Sequence, residues 1–86
     1  FKLININYSF MNLKNYDSAF YEAFSIEQSK EIKKLKYQDI EEWDSIGHMT
    51  LIANLEEKFK ISLKTDDIVE FSSYEKGIQI IKKYIS

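Results

Sequence analysis

From Ile46 to Phe59 the chain carries its most regular apolar pattern, with an acid and a serine immediately before it. Gly47, Thr50, Asn54, Glu57 and Lys58 recur at spacings of three and four, which collects them on one helical face, and the remaining positions are mostly apolar. The pattern predicts a helix from Ser45 to Phe59 or Lys60, with Ile46, Leu51, Ile52, Leu55 and Phe59 as core candidates and Met49 and Ala53 bordering the polar face. Burying each large apolar side chain contributes about 1.5–3 kcal/mol, so the other elements must pack around this one. Asp44 can cap the helix with its carboxylate and leave Ser45 in the first turn. Unpaired backbone N–H groups and the positive end of the helix dipole favour an anion there, so Ser45 is read as a site of modification that suits a phosphate ester.

The other elements are shorter. Tyr16, Phe20 and Phe24 stand four residues apart with Ala19 and Ala23 beside them, which predicts a first helix capped by Asn12 or Asn15 and ending near Phe24 or Ser25. Residues 25–40 form a long connection in which Ile26, Ile32, Leu35, Tyr37 and Ile40 dip repeatedly toward the core, and one short helical stretch is expected within it. Ile61 and Leu63 make an apolar crossing; Thr65, Asp66 and Asp67 read as the cap and first turn of a short helix carrying Ile68 and Val69. Ser72 and Glu75 fit a capping box for a last helix that faces Tyr74, Ile78, Ile81 and Ile85 inward. Gly77 inside that helix costs about 1 kcal/mol relative to Ala and permits close helix approach. The fold class expected is all-α, a small four-helix bundle of three longer helices and one short one with a long first loop.

Residues 1–10 alternate with a strand period, Ile4, Ile6, Tyr8 and Phe10 on one side, yet no second strand is expected to pair with them. They are read as a non-native N-terminal extension, with Met11 as a natural start and 11–86 as the domain.

With 86 residues the chain has room for one thin core. Cysteine is absent and histidine occurs once, which excludes disulfides and a thiolate nucleophile and argues against a His-based metal site. No apolar run approaches the ~18 residues of a membrane span and no signal-peptide pattern opens the chain, so a cytoplasmic setting without membrane insertion is expected. The net charge of −2 conceals an asymmetry: residues 39–75 hold ten acids against three Lys, giving −7 around Ser45. Such a field repels nucleic acid and steers basic partner surfaces toward the serine.

No enzyme constellation emerges. His48 follows Ser45 by three residues but no strand-to-helix elbow precedes the serine, so a hydrolase is disfavoured and His48 reads as a half-buried helix residue or partner contact. Glu41, Glu42, Asp44, Asp66 and Asp67 do not match a calcium loop, and no metal site is assigned. Trp43 reads as a hydrophobic anchor.

Asp44, Ser45 and Ile46, followed by the run from Leu51 through Leu55, Glu56 and Glu57 to Phe59, resemble the Asp-Ser-Leu motif and second helix of acyl carrier proteins. The resemblance extends from Asn12 to the C-terminus, and Trp43 with Gly47, His48 and Met49 is most similar to stand-alone carriers of dedicated pathways. It implies 4'-phosphopantetheine on Ser45, transferred from coenzyme A by a separate magnesium-dependent phosphopantetheinyl transferase, with acyl or aminoacyl intermediates held as thioesters. Asp44, Ser45 and Ile46 would form the modification motif; Met49, Ala53, Glu56 and Glu57 would meet acyl-loading and acyl-transferring enzymes, and the protein would be a non-catalytic monomer. Fatty-acid carriers usually have acids where this chain has Gly47 and Thr50, which favours a dedicated biosynthetic pathway. The alternative is a helical protein–protein interaction module without a prosthetic group.

Overall fold

The computed structural model describes residues 12–85, so the extension over 1–10 and the start at Met11 lie outside the described residues. Helices α1 (Leu13–Phe24), α2 (Ser45–Phe59), α3 (Thr65–Glu70) and α4 (Tyr74–Ile85) make a small all-α bundle with no strand among the described residues. Asn12 caps α1, its side chain accepting from the Asn15 N–H at 3.2 Å. The helix stops at Ser25, which takes a left-handed conformation (φ 54°), as does Lys60 (φ 56°) at the end of α2.

The aromatic stripe of α1 is the centre of the core. Phe20 has Tyr16 at 5.0 Å, Tyr74 at 5.3 Å and Trp43 at 5.6 Å between ring centroids, the last edge-on, and Phe24 and Phe71 close the cluster. Leu51, Ile52 and Leu55 of α2 complete it against α1. Edge-to-face ring pairs add about 0.5–1.5 kcal/mol beyond their buried area, so a core this thin gains from being largely aromatic. Tyr16 is buried yet satisfied, donating to the Tyr74 carbonyl at 2.6 Å; burial, and then the neighbouring Tyr74 and Asp17, push its phenol well above the ordinary value. Gly77 faces this cluster: a Cβ there would stand 2.2 Å from Phe71 Cζ and 2.3 Å from the Tyr16 hydroxyl.

Residues 25–44 depart from expectation, holding turns and no helical stretch. Their polar groups bond elsewhere: the Lys36 N–H to Asp39 Oδ2 at 2.9 Å, and the Tyr37 N–H to the Ser72 carbonyl at 2.9 Å. The Tyr74 N–H returns to the Leu35 carbonyl at 2.9 Å, stitching the loop to the start of α4. Ile32, Leu35 and Trp43 are the residues that anchor it in the core.

Several finer expectations are corrected. Lys64, without a side-chain cap, precedes α3, so Thr65 is its first residue and not its cap. Ser73, not Ser72, caps α4, its Oγ accepting from the Lys76 N–H at 2.9 Å. In α4 the buried positions are Tyr74, Gly77, Ile80 and Ile81, while Ile78 and Ile85 are half-buried, because the helix turns its glycine toward the rings. In α2, Gly47 is buried instead of joining the polar face, and Ile46 is 77% exposed instead of filling the core.

Candidate functional site

Asp44 adopts an extended backbone before α2, and its Oδ1 accepts from the Gly47 N–H at 2.8 Å while its carbonyl takes the His48 N–H at 2.7 Å. Helical geometry then leaves the N–H groups of Ser45 and Ile46 without an acceptor inside the helix. Ser45 is exposed at this first turn. The turn is tight: a Cβ on Gly47 would stand 1.9 Å from the Glu42 carbonyl oxygen, so the incoming chain and the helix start can approach only because that position is glycine.

Beside Ser45 a pocket of about 340 Å³ opens between α2 and α3. His48 and Met49 line it from α2, Ile68 and Val69 from α3, and Tyr37 and Phe71 complete its wall. Met49 is 52% and Val69 73% exposed, so with Ile46 they surround the serine with apolar surface open to solvent. The spacing of the loop predicts Tyr37 turned toward the core, yet it is exposed, and of the two apolar residues that α3 carries Val69 faces out while Ile68 is half-buried. A six-residue helix offers too little periodicity to tell its faces apart, and Tyr37 is held by its backbone bond to Ser72 at the pocket rim.

His48 is half-buried and committed at both ring nitrogens. Trp43 donates its indole N–H to Nδ1 at 2.9 Å, and Nε2 stands 2.9 Å from the Ile68 carbonyl oxygen. The imidazole is therefore engaged away from the Ser45 hydroxyl. Trp43 is fully buried, an anchor as the sequence indicates, and its polar tip meets His48.

No family model, curated protein or solved structure matches the chain.

The remaining expected recognition residues divide. Ala53 and Glu57 are exposed on α2 near Met49 in sequence, whereas Glu56 is half-buried and its Oε2 accepts from the Leu63 N–H at 2.8 Å. Glu56 thus carries an internal bond that secures the chain between α2 and α3. Farther along, the Lys83 ammonium and then the Tyr84 hydroxyl hydrogen-bond Asp67 and hold its carboxyl below the usual 3.8. Among the described residues no three acidic or histidine side chains gather as a metal cluster, and no helix is long and apolar enough to cross a membrane.

Proposed function

We propose that this protein is an acyl carrier whose Ser45 Oγ bears 4'-phosphopantetheine. The observation that carries the reading is the exposed Ser45 hydroxyl at the capped start of α2, next to an apolar pocket. The residues fit such a group. Asp44 spends one carboxylate oxygen on the Gly47 N–H, and the outward N–H groups of Ser45 and Ile46 suit a phosphodiester at the helix start. Met49, Ile68 and Val69 offer an uncharged surface beyond it. When bound, the group supplies the thiol that holds an acyl or aminoacyl unit as a thioester, a sulfur the chain itself lacks.

The protein residues orient and exclude but do not catalyse. His48, occupied by Trp43 and Ile68, does not take the Ser45 proton, which supports a carrier over a serine hydrolase. Exposed Ile46, Met49, Ala53 and Glu57 form the face presented to the phosphopantetheinyl transferase and to loading and transferring enzymes, with Glu56 reserved for Leu63. A dedicated biosynthetic pathway in the cytoplasm, and a monomer, complete the reading. The same exposed apolar residues favour a second reading, an interaction module that docks partners directly and bears no prosthetic group.

Intact mass decides between them. Unmodified chain incubated with coenzyme A, magnesium and a broad-specificity phosphopantetheinyl transferase should gain one phosphopantetheinyl group, and Ser45→Ala should gain none. Because Ser45 is exposed, that substitution should move stability by no more than ~0.5 kcal/mol. Wild-type chain that stays unmodified while a control carrier is converted would sink the carrier reading and leave the module.

A further inference from the structure

Apolar contact between α3 and the core comes from half-buried Ile68, with buried Leu63 and Phe71 flanking the helix. None of its residues is buried and its N-terminus has no side-chain cap. On the α4 side, Lys83 Nζ meets Asp67 Oδ1 at 2.8 Å, Tyr84 donates to Asp67, and the Lys64 N–H donates to the Tyr84 hydroxyl at 3.0 Å. On the α2 side, His48 Nε2 meets the Ile68 carbonyl at 2.9 Å.

Chemistry dictates the direction of each bond at His48. An indole N–H can only donate, so Nδ1 must accept and Nε2 must carry the proton, which it donates to Ile68. Trp43 is itself fixed, fully buried with its ring 5.3 Å from Phe24 and 5.6 Å from Phe20. Stacked 6.2 Å from Trp43, with Tyr37 at 5.6 Å and Phe71 at 6.0 Å edge-on, the imidazole has no room to turn over freely. It transmits the position of the aromatic core to the backbone of a helix whose own contact with that core is the half-buried Ile68 side chain.

We propose that His48 is a positioning residue: its Trp43-directed tautomer docks α3 onto α2 and holds Ile68 and Val69 as the far wall of the pocket beside Ser45. The role is independent of what Ser45 carries, because the bonds and the wall are properties of the polypeptide alone. Removing the imidazole should loosen α3 most and the aromatic core less, where the Trp43 indole N–H loses its acceptor.

The test uses the full chain, ¹⁵N-labelled, and two variants. In the wild type, the imidazole nitrogen shifts should report one tautomer with the proton on Nε2; a proton on Nδ1 or an averaged mixture overturns the proposal. In His48→Leu, amide exchange at Ile68, Val69 and Glu70 should quicken about three- to tenfold, the worth of one net hydrogen bond, and by more than in α1 and α4, which feel only the unpaired Trp43 indole N–H. His48→Gln, whose amide offers an acceptor oxygen beside a donor NH2, should return exchange to within about twofold of wild type. Unchanged α3 exchange in His48→Leu, an equal rise in α1 and α4, or no restoration by Gln overturns it. If His48→Leu does not fold, the wild-type tautomer and the Gln variant's α3 exchange decide by the same criteria.

Discussion

The aromatic centre and the α3 flank of this molecule are built by different physics. At the centre, Tyr16, Phe20, Trp43 and Phe71 are at most 1% exposed, and their positions are fixed by rings pressing on rings. At the flank, α3 buries none of its residues fully; beside the half-buried Ile68 it is held by His48, Asp67 and the segment that Glu56 secures, each through a hydrogen bond or ion pair. Apolar burial is non-directional and shared among neighbours, so loss at one point is felt throughout the core. Polar links are local, and each can fail alone. Ser45 lies on the boundary: its helix is rooted in the centre by Leu51, Ile52 and Leu55, while its pocket is walled by the flank.

If that division is real, truncation to alanine must cost far more at the centre than at the flank. Phe20→Ala should cost about 3–5 kcal/mol, and Val69→Ala, at an exposed position, about 0.5 kcal/mol or less. Urea unfolding of both variants checks this, and similar midpoints would break the comparison. Next in size is Gly77→Ala. Helix propensity alone would make it stabilising by about 1 kcal/mol, but the added methyl would collide with Phe71 and the Tyr16 hydroxyl inside the ring cluster. Overpacking should win, with a net loss of about 1–3 kcal/mol in the same assay. A stabilised variant would show that the centre is loose enough to yield.

The two regions were also unequally legible in the sequence. Tyr16, Phe20 and Phe24 announce a helical stripe by spacing alone, and the run after Asp44 and Ser45 announces both α2 and its cap, so the centre and the serine could be placed from local pattern. Ile46 misled because an apolar residue in a helix's first turn satisfies the period whether or not anything covers it, and nothing does. The loop was opaque for another reason: the Tyr37 and Tyr74 N–H groups exchange bonds between segments far apart in the chain, which no window contains. His48 and Ile68 are twenty residues apart, so their link, and the pocket it closes, exist only after folding. What pattern reveals is periodic burial; what it conceals is polar fastening between distant segments.

A smaller effect tests where α2 ends. Lys60 holds a left-handed conformation that costs a residue with a Cβ roughly 1–2 kcal/mol and costs glycine nothing comparable. Lys60→Gly should therefore raise stability by about 1 kcal/mol, moderated by the greater freedom of glycine in the unfolded chain. The gain should appear in global unfolding, because α2 belongs to the centre. A gain confined to α3 exchange would shift the boundary between the regions toward Leu55.

The smallest effect concerns pH, and it should touch the flank first. Lys83 and Tyr84 lower the Asp67 carboxyl below 3.8, so their contribution is complete above that value and disappears as pH falls through the depressed one. At the other extreme Asp67 raises the Lys83 ammonium above 10.5, so the same contact persists below that value and is lost as pH rises through the raised one. The ion pair is at the surface and screened by salt, so acid should loosen α3 locally without unfolding the chain. Amide exchange in α3, corrected for its intrinsic pH dependence, should quicken on the acid side in the wild type and be quick already at neutral pH in Asp67→Asn, while the ring signals of Phe20 and Trp43 stay still. Ring signals moving in step with α3 would mean that the flank and the centre unfold as one unit, and the division drawn between directional fastening and shared burial would collapse.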